Sequence, residues 1–418
     1  MENVLENLFP LLKIKSVKSA PKKGAPFGEG VRAALDYSLD LAEKMGLENI
    51  NYDGYIGEVI IGEGEPFGIL CHLDVVPEGN IKAWKTDPFT PTIVGDKLFC
   101  RGATDDKSAA ISVLTALFRL KSEGAKFKRQ VKLILGCDEE SGWGCIDHYK
   151  KRATLPEEGF SPDAEFPLIY SEKGILHLRY RFDKKKPFSA RGGIKVNVVC
   201  DHSFAEGDFV DAKATDGVKL SNDKAESFGI AAHTSLPEKG DNAIKYLTAF
   251  LAENGFVDKA VYDRLFGARE GVTDLFDETG HLTFSPNIIE TDDDHVYFTV
   301  DVRYPSTLEK AYVEKALGRI GEYTVLSGHL PLYVDKDCEL IKTLLGVYKE
   351  VTKKDGEAIA IGGGTYARAL KRAVAFGPSM TEEESSSIHM PNEFIYLDTL
   401  EKMTEIYYRA IKKLCTKG

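Results

Sequence analysis

Short apolar runs alternate with a longer amphipathic segment along the first 150 residues of the chain. Runs of strand length lie at Glu58–Gly62, Gly68–Asp74 and Gln130–Gly136. Between the last two, apolar residues recur at near-helical spacing over Lys107–Gly124, which ends on a glycine suited to a helix C-terminus. Strands that alternate with helices predict an α/β fold with a mostly parallel sheet covered on both faces.

The pattern changes from about Gly174 onwards. Three segments alternate apolar with polar residues, as half-exposed antiparallel strands do, namely 177–183, 194–201 and 295–305. Two helices are predicted among them, one over Asp241–Gly255 and one that begins at Ser306, where Glu309 would complete a capping box. This part of the chain therefore predicts an α+β unit.

The α/β pattern returns after residue 328. A helix is predicted around Leu340–Val351, a glycine-rich turn at Gly362–Thr365, and a last helix from Asp398. We therefore predict a domain built from residues 1–177 and 329–418, with an α+β domain inserted at 178–328.

Composition and charge narrow the class of protein. The 418 residues suffice for two domains that each bury a core. A net charge of -11 disfavours nucleic acid as a partner. The N-terminal segment has no export signal, and no stretch approaches the ~20 apolar residues of a membrane helix. We expect a cytoplasmic protein without a membrane partner, present as a monomer or homodimer.

The cysteines do not suggest cross-links. There are seven, at positions 71, 100, 137, 145, 200, 338 and 415. The number is odd and no Cys-x-x-Cys pair occurs, which argues against a disulfide framework or a zinc ribbon. Buried, reduced thiols are expected.

His72 and Asp74 stand at the end of the Gly68–Asp74 run. Residues two apart in a strand share a face, so both side chains would point the same way. A metal-binding imidazole usually donates its second nitrogen to a carboxylate, and Asp74 could supply one locally. Taken alone, however, the pair is more typical of a loop histidine beside a solvated aspartate.

Further acidic residues accompany this pair. Asp105 and Asp106 directly precede the predicted helix, where an N-cap role is as good an explanation as metal binding. Residues 138–140, all acidic, follow the Gln130–Gly136 strand at the end where open α/β sheets place their sites. Asp163 and a late His389 carry no signal by themselves. A solvated acidic turn and a surface histidine are the alternatives.

Charge balance supports one shared site. Two divalent ions bring four positive charges, which three carboxylates and one bound hydroxide offset, while two neutral imidazoles add none. The candidate ligands are His72, Asp105, Glu140, Asp163 and His389. Such mixed ligands suit zinc, with manganese or cobalt as substitutes, and a carboxylate such as Asp105 can bridge two ions ~3.5–4 Å apart.

In order and spacing these residues resemble the M20 metallopeptidases. The likeness rests on HLDVVP at His72–Pro77, GATDDK at 102–107, the paired glutamates before Ser141 and Gly142, Asp163 and His389. It continues through RGGIKVNVV, AAHTSLPEKGDNAI, RYPS and GGGTYAR, and so covers nearly the whole chain. Within the family, the chain is most similar to bacterial dipeptidases of the PepV type.

The resemblance implies a zinc-peptidase-like catalytic domain, with a mostly parallel mixed sheet flanked by helices, and an inserted lid. It implies a ligand set in which His72 and Asp163 bind one zinc, Glu140 and His389 the other, and Asp105 bridges both. Asp74 would steady His72. Glu139 would be the general base that takes a proton from the metal-bridging water and passes it to the leaving amine.

In the lid, the resemblance implies three substrate-binding residues, namely Asn197, His233 and Arg303, with His233 steadying the oxyanion. From its strand pattern, Arg303 lies on the polar side, either free to bind a C-terminal carboxylate bidentately or in a surface salt bridge with Asp301. His233 could equally be a turn histidine. The nearby glycines lack the Lys-Ser/Thr of a phosphate loop, so Gly363 and Gly364 are expected to let the backbone approach the substrate.

Two features depart from the family pattern. Ser108 stands where many members have glycine, and the lid is shorter than in PepV-type enzymes, especially between Asn197 and His233. We predict hydrolysis of dipeptides, with an N-acyl-amino-acid amidohydrolase and a catalytically silent metal-binding regulatory protein as alternatives. The presence of Glu139 together with all five candidate ligands argues against the silent protein.

Overall fold

The computed structural model describes residues 3–269 and 271–417. The chain divides into two compact units, one of Met1–Tyr170, Val334–Ile359 and Thr365–Gly418, the other of Ser171–Tyr333 and Ala360–Gly364. The inserted domain predicted at 178–328 lies within the second unit. The return of the chain to that unit at Ala360–Gly364 has no counterpart in the sequence pattern.

The α-helices of the described residues are α1 (Val4–Leu12), α2 (Glu29–Lys44), α3 (Lys107–Ser122), α4 (Gly144–Arg152), α5 (Ala243–Glu253), α6 (Lys259–Phe266), α7 (Lys310–Leu317), α8 (Glu339–Thr352), α9 (Glu382–Ser387) and α10 (Leu397–Cys415). The strands are β1 (Glu48–Tyr52), β2 (Ile56–Ile61), β3 (Pro66–His72), β4 (Thr92–Val94), β5 (Lys97–Phe99), β6 (Gln130–Gly136), β7 (Glu158–Ser161), β8 (Ala164–Glu165), β9 (Ile169–Glu172), β10 (Gly174–Asp183), β11 (Phe188–Gly192), β12 (His202–Gly207), β13 (Val218–Leu220), β14 (Lys224–Phe228), β15 (Phe276–Asp277), β16 (Gly280–His281), β17 (Thr283–Thr291), β18 (His295–Tyr304), β19 (Tyr323–His329), β20 (Leu332–Tyr333), β21 (Ile359–Ile361), β22 (Arg372–Ala375), β23 (Pro378–Ser379) and β24 (Phe394–Tyr396).

The sheet of the first unit is parallel at its centre. Its strands follow the order β1-β2-β6-β3-β7-β22, and the start of β9 pairs with β22. β3 runs parallel to both β6 and β7, with His72 opposite Gly136. Parallel neighbours end at the same edge, so the residues that follow these three strands come together there.

A central helix covers this sheet. α3 packs against β3, α1 and α10. Its apolar residues are fully buried from Ala109 to Leu117. A helix that is apolar nearly all round lies inside a domain. The first residues of α3, Lys107 and Ser108, are therefore buried as well.

The second unit is an antiparallel α+β unit. Its sheet has the order β13-β14-β12-β11-β17-β18-β10-β19. On β18, every second residue from Val296 to Val302 is fully buried, and the core they enter also holds Leu247 and Leu251 of α5. The alternation predicted for 177–183 and 295–305 is confirmed by β10 and β18.

The strand predicted at 194–201 is wrong. The sheet is joined instead by β11, which stops before Gly193 with φ of 75°. Ile194 beyond it is 95% exposed, and the carbonyl of Val196 accepts a hydrogen bond from the Asn287 side chain at 2.6 Å. The glycine pair turns the chain out of the sheet before the apolar alternation begins.

The capping box predicted at Ser306 is also wrong. The helix, α7, begins at Lys310 after Glu309, whose side chain makes no cap hydrogen bond in the described chain. The Ser306 hydroxyl accepts a buried hydrogen bond from Ser171 at 2.7 Å instead. The Ser306 hydroxyl therefore makes a tertiary hydrogen bond in place of the helix cap that the local sequence pattern predicted.

None of the helices within 3–269 and 271–417 is long and apolar enough to cross a membrane. All seven cysteines are free thiols, and all but Cys338 are buried.

Candidate metal centre

Strand ends deliver one histidine and several carboxylates to one place in the first unit. His72, the last residue of β3, is fully buried. Its Nε2 lies 2.7 Å from Oδ1 of Asp105 and 3.5 Å from Oδ1 of Asp163. Asp163 follows β7, the parallel neighbour of β3, and Asp105 precedes α3.

His389 approaches the same carboxylates from the other side. Its Nε2 lies 3.0 Å from Oδ2 of Asp105 and 3.1 Å from Oε1 of Glu140. The Asp105 carboxylate therefore faces His72 with one oxygen and His389 with the other. His389 has a φ of 63°, a left-handed conformation that non-glycine residues adopt rarely and that is common at functional sites.

The structure thus brings together the five predicted metal ligands, His72, Asp105, Glu140, Asp163 and His389. Atoms of His72, Asp105 and Glu140 that could bind a metal all lie within 4.8 Å of one another, and so do those of His72, Glu139 and Asp163. Glu139, predicted as the base, is therefore as close to this centre as the predicted ligands.

Asp74 does not steady His72 in the predicted way. The nearest partner of His72 Nδ1 is the main-chain carbonyl of Asp74 at 2.9 Å, whereas the carboxylate is 3.7 Å away. That carboxylate accepts the backbone N–H groups of Glu139 and Glu140 at 3.1 and 3.2 Å. Asp74 lies beyond the end of β3, where the two-residue periodicity no longer sets its direction, and it holds the acidic turn.

Asp106 connects α3 to β3. Its Oδ2 accepts the backbone N–H of His72 at 3.1 Å. It occupies the N-cap position of α3 but makes no side-chain cap hydrogen bond within the described residues. The explanation of this aspartate pair as helix-capping residues is therefore wrong. The peptide bond between Asp105 and Asp106 is cis.

Two aromatic residues that the sequence analysis did not single out support the centre. The Trp143 indole donates to Oε1 of Glu139 at 3.1 Å, and the backbone N–H of Tyr366 donates to Oδ2 of Asp163 at 2.9 Å. The ring centroids of Tyr366 and Trp143 lie 5.4 Å apart in an edge-to-face arrangement. Trp143 has a φ of 60°. The sequence signal that could have indicated Trp143 is a bulky residue between two glycines, three positions after the last glutamate of the acidic run.

Asp138, the third acidic residue of the turn, belongs to the scaffold. Its carboxylate accepts hydrogen bonds from the Ser141 hydroxyl and the backbone N–H of Gly144, and it pairs with Lys18 at 2.6 Å. The acidic run thus divides between a structural residue and the two glutamates of the centre.

The electrostatics of the centre favour a bound cation. Burial, followed by the charge of Asp163, raises the pKa of Glu139. Burial and the charge of Asp105 raise the pKa of Glu140 to about 7. Burial also raises the pKa of Asp163. Raised pKa values mean that these carboxylates repel one another when all are ionised. A bound divalent ion would offset this repulsion.

The pKa values of the two histidines are raised as well, which for an imidazole favours the charged form. Burial opposes protonation of His72, but the charge of Asp105 and its hydrogen bonds outweigh it and raise the pKa. For His389, hydrogen bonds to Asp105 and Glu140 outweigh burial and raise the pKa to about 11. The cluster thus attracts positive charge, and its imidazole and carboxylate donors fit zinc, manganese or cobalt.

The predicted substrate-binding residues form a cluster in the second unit. The carbonyl of Asn197 accepts the backbone N–H of Thr234 at 3.2 Å, next to His233. Arg303 Nη2 lies 3.5 Å from the Thr234 hydroxyl, and Nη1 donates to the carbonyl of Gly362 at 3.3 Å. Asn197, His233, Arg303 and the glycine run are therefore neighbours within this unit.

Arg303 is not free. Nε and Nη2 bind the Asp301 carboxylate at 2.7 and 2.9 Å, and the pair is almost fully buried, so it is not a surface salt bridge either. Both residues lie on one face of β18, two positions apart. The contacts of Arg303 to Thr234 and Gly362 are longer, at 3.5 and 3.3 Å. A ligand could replace these two partners and accept hydrogen bonds from the same N–H groups.

His233 is poised as a neutral donor. Its Nδ1 accepts the backbone N–H of Ser235 at 3.2 Å, which places the proton on Nε2. Burial, followed by the charge of Arg303, lowers the pKa of His233. A neutral imidazole with an Nε2 proton can donate one hydrogen bond to an oxygen.

The glycines of the run differ in their surroundings. A Cβ on Gly362 would lie 3.3 Å from the carbonyl oxygen of Ser235, so packing inside the unit favours glycine there. A Cβ on Gly363 would come no closer than 3.6 Å to Ile361. Close approach of a substrate to Gly363 and Gly364 stays a prediction.

Comparison with known proteins relates the chain to peptidases. A family model described as peptidase family M20/M25/M40 matches residues 68–413. The chain is 33% identical to a Bacillus subtilis protein named "Putative dipeptidase YtjP", covering 99% of this chain and 97% of that protein. Among solved structures, it is similar to aminoacylhistidine dipeptidase from Vibrio alginolyticus, with a TM-score of 0.63 and 15% identity over 99% of this chain and 97% of the other. The metallo-carboxypeptidase Sso-CP2 from Sulfolobus solfataricus gives 0.62 and 18% over 99% of each chain.

Proposed function

Because the chain belongs to peptidase family M20/M25/M40, we propose that it is a cytoplasmic dipeptidase that uses two divalent ions, with zinc as the first choice. The observation that carries the proposal is the Asp105 carboxylate, which presents one oxygen to His72 and the other to His389. That is the geometry a shared ligand of two ions requires. The free, buried thiols suit a reducing compartment.

The ligands divide into two groups around Asp105. His72 and Asp163 would hold one ion, and His389 and Glu140 the other. When bound, such ions polarise a carbonyl and make water a better nucleophile at neutral pH. The Nδ1 hydrogen bond of His72 to the Asp74 carbonyl directs Nε2 at the ligand carboxylates.

Glu139 would act as the general base. The Trp143 indole holds Oε1, so Oε2 is the oxygen that would take the proton from water and return it to the leaving amine. The backbone N–H of Glu139 is fixed by Asp74. A base anchored at its main chain and at one oxygen has a defined direction for proton transfer.

The second unit would bind the substrate. His233 would donate its Nε2 proton to the oxygen that becomes negative in the transition state. Arg303, held by Asp301, would bind the C-terminal carboxylate in place of its long contacts to Thr234 and Gly362. Asn197 would contribute its side-chain amide. Binding of the C-terminal carboxylate by Arg303 would favour short peptides with a free C-terminus, and relatives of this chain carry dipeptidase names.

A substrate panel tests the proposal. Chelator-stripped protein, reloaded with zinc or manganese, is assayed on a dipeptide, the same dipeptide with an amidated C-terminus, a tripeptide and an N-acyl amino acid. We expect turnover only after reloading, with the free dipeptide preferred. Loss of the carboxylate partner should lower kcat/KM by about 30-fold or more, from a cost of ~2–5 kcal/mol.

Each other outcome changes the conclusion. Preference for the N-acyl amino acid would identify an amidohydrolase. Equal kcat/KM for the free and amidated dipeptides would show that Arg303 does not read the carboxylate. Tight metal binding without turnover of any substrate would identify a silent metal-binding protein.

A further inference from the structure

We infer that Glu393 is a positioning residue for the metal centre, because its buried carboxylate joins the segment that carries Asp105 to the segment that carries His389. The inference rests on the proposed function of that centre. It concerns how well the protein holds metal, which can be measured without turnover.

One oxygen of Glu393 organises the Asp105 segment. Oε1 accepts three backbone N–H groups, from Gly102 at 3.0 Å, Thr104 at 3.0 Å and Asp105 at 3.2 Å. The last of these belongs to the residue whose side chain faces both histidines. Three donors converging on one oxygen fix the path of the chain just before α3.

The other oxygen is held by a buried cation. Oε2 lies 2.6 Å from Nη1 of Arg101, and both side chains are 1% exposed. Arg101 also donates from Nη2 to the carbonyl of Pro77 at 3.3 Å, and its guanidinium lies 5.4 Å from the Trp84 ring centre. Both oxygens of the buried carboxylate are thus held, one by backbone N–H groups and the other by a guanidinium.

Glu393 also belongs to the His389 segment. It lies four residues after His389 and directly before β24, which pairs with β5. Its carbonyl accepts the backbone N–H of Cys100, and the Thr104 hydroxyl donates to the carbonyl of Phe394 at 2.7 Å. The two segments are thus joined by these two hydrogen bonds in addition to those of the Glu393 carboxylate.

Stability alone is a weak reason for this arrangement. Replacing a buried ion pair with apolar residues is often neutral or stabilising, so the pair calls for another explanation. A metal centre supplies one, because its ligands must be held within about 0.5 Å of their working positions by groups behind them. Asp105 and His389 come from distant parts of the chain and meet at 3.0 Å. The Glu393 side chain binds the backbone of the Asp105 segment while its own backbone belongs to the His389 segment.

The test compares Glu393→Gln with a matched control, Glu58→Gln. Glu58 is likewise 1% exposed in the first unit, pairs with Lys132 at 2.9 Å and accepts hydrogen bonds from Tyr52 and Tyr149. Both substitutions replace a buried carboxyl group by an amide and keep the shape of the side chain. Only the first touches the segments of the metal centre.

Cobalt affinity and spectrum are the readouts. Co²⁺ is titrated against a chelator into the stripped wild type and both variants, the visible absorption of the cobalt forms is recorded, and the melting temperature is measured. We expect both variants to melt earlier, but only Glu393→Gln to lose about 10–100-fold in metal affinity and to change the cobalt spectrum. Glu393→Asp keeps the counter-ion of Arg101 with a shorter reach, so it should fold and still weaken cobalt binding.

The outcomes separate this inference from the proposed function. Equal loss of affinity in Glu393→Gln and Glu58→Gln would reduce Glu393 to a structural residue, as would wild-type affinity and spectrum in Glu393→Gln. Should Glu393→Gln fail to fold, wild-type affinity and spectrum in Glu393→Asp would overturn the inference. A wild type that binds no cobalt would instead remove the metal centre itself.

Discussion

At the scale of single residues, the two oxygens of a carboxylate in the candidate metal centre often bind two different partners. Asp105 divides its two oxygens between two histidines. Asp74 divides its two between the backbone N–H groups of Glu139 and Glu140. Glu139 keeps one oxygen on Trp143. Because each carboxylate has a fixed direction, a substitution that keeps shape but changes chemistry separates the roles of neighbouring residues.

Glu139→Gln is expected to abolish turnover and leave metal binding intact. The amide keeps the size of the side chain and can still accept the Trp143 hydrogen bond, but it cannot take a proton. We expect kcat to fall by about 10²–10⁴-fold, with the full metal content in the purified variant. Elemental analysis and steady-state kinetics decide it. A variant that retains metal and stays within about tenfold of the wild-type rate shows that another group is the base.

His389→Asn is expected to lower metal content as well as activity. Asparagine tolerates the left-handed backbone of His389, so the change removes the imidazole without adding backbone strain. His148→Asn is the control, since His148 also pairs with a carboxylate, Asp53, at 3.0 Å in the same unit. Metal content is measured per chain after dialysis. Two full equivalents in His389→Asn would remove this residue from the ligand set.

At the scale of elements, the chain concentrates its chemistry where strands end. β3, β6 and β7 run parallel, so His72, the acidic turn after β6 and Asp163 meet at one edge. In the second unit, β18 works differently. Its alternation sends Val300 and Val302 into the core and sets Asp301 and Arg303 on the opposite face, where they pair. A strand thus supplies both a stable core face and a charged pair.

The Asp301 carboxylate should make the second unit sensitive to acid. Burial opposes its ionisation, but His177 and Arg303 outweigh burial and hold its pKa below the usual value. Because the pKa of Asp301 is lower in the folded than in the unfolded chain, its ionisation stabilises the fold. This stabilisation is fully present above the ordinary pKa of about 3.9, and it is lost as the pH falls through the folded-state pKa. We therefore expect Asp301→Asn to be less stable than wild type at pH 7, with the difference shrinking below pH 4.

Urea unfolding followed by circular dichroism at pH 7, 4 and 3 measures this difference. Asp216→Asn, at an exposed loop position of the same unit, is the control and should follow wild type at every pH. A constant difference between wild type and Asp301→Asn across this range would contradict the assigned pKa shift.

At the scale of the whole molecule, the proposed metal centre would link metal binding to folding of the first unit. The candidate ligands lie between residues 72 and 389 of the sequence, so an ion held by them would tie distant parts of the chain together. An ion that binds only the folded state stabilises it by about 2.7 kcal/mol at a hundredfold excess over Kd. Burial and neighbouring carboxylates raise the pKa values of Glu139 and Glu140, so a cation that offsets their charges would stabilise the folded state further.

Metal removal is therefore expected to lower the melting temperature. Calorimetry of chelator-treated protein, with and without added zinc, gives the shift. We expect zinc to raise the transition of wild type by several degrees and that of Asp105→Asn by much less. The same melting temperature for wild-type protein with and without saturating zinc would mean that no site of this kind exists in the folded state.

The sequence alone was sufficient for several elements of the first unit and for the list of candidate ligands. β6 occupies the predicted residues, 130–136, and α3 begins at the predicted Lys107, because hydrophobic periodicity reports local geometry directly. The candidate ligands could be listed because strand ends and metal-binding residue types occur in a characteristic order. Both kinds of information are contained in short stretches of chain.

Only the tertiary structure decided the partners of each polar atom. The carboxylate of Asp74 accepts the backbone N–H groups of the acidic turn and lies farther from His72, at 3.7 Å. Arg303 is paired with Asp301, and Ser306 bonds to Ser171 and not to a helix start. Glu393 is nearly 300 residues from the backbone groups it binds. Hydrogen bonds form between groups that folding brings within about 3 Å, and sequence spacing carries no record of distances across the fold.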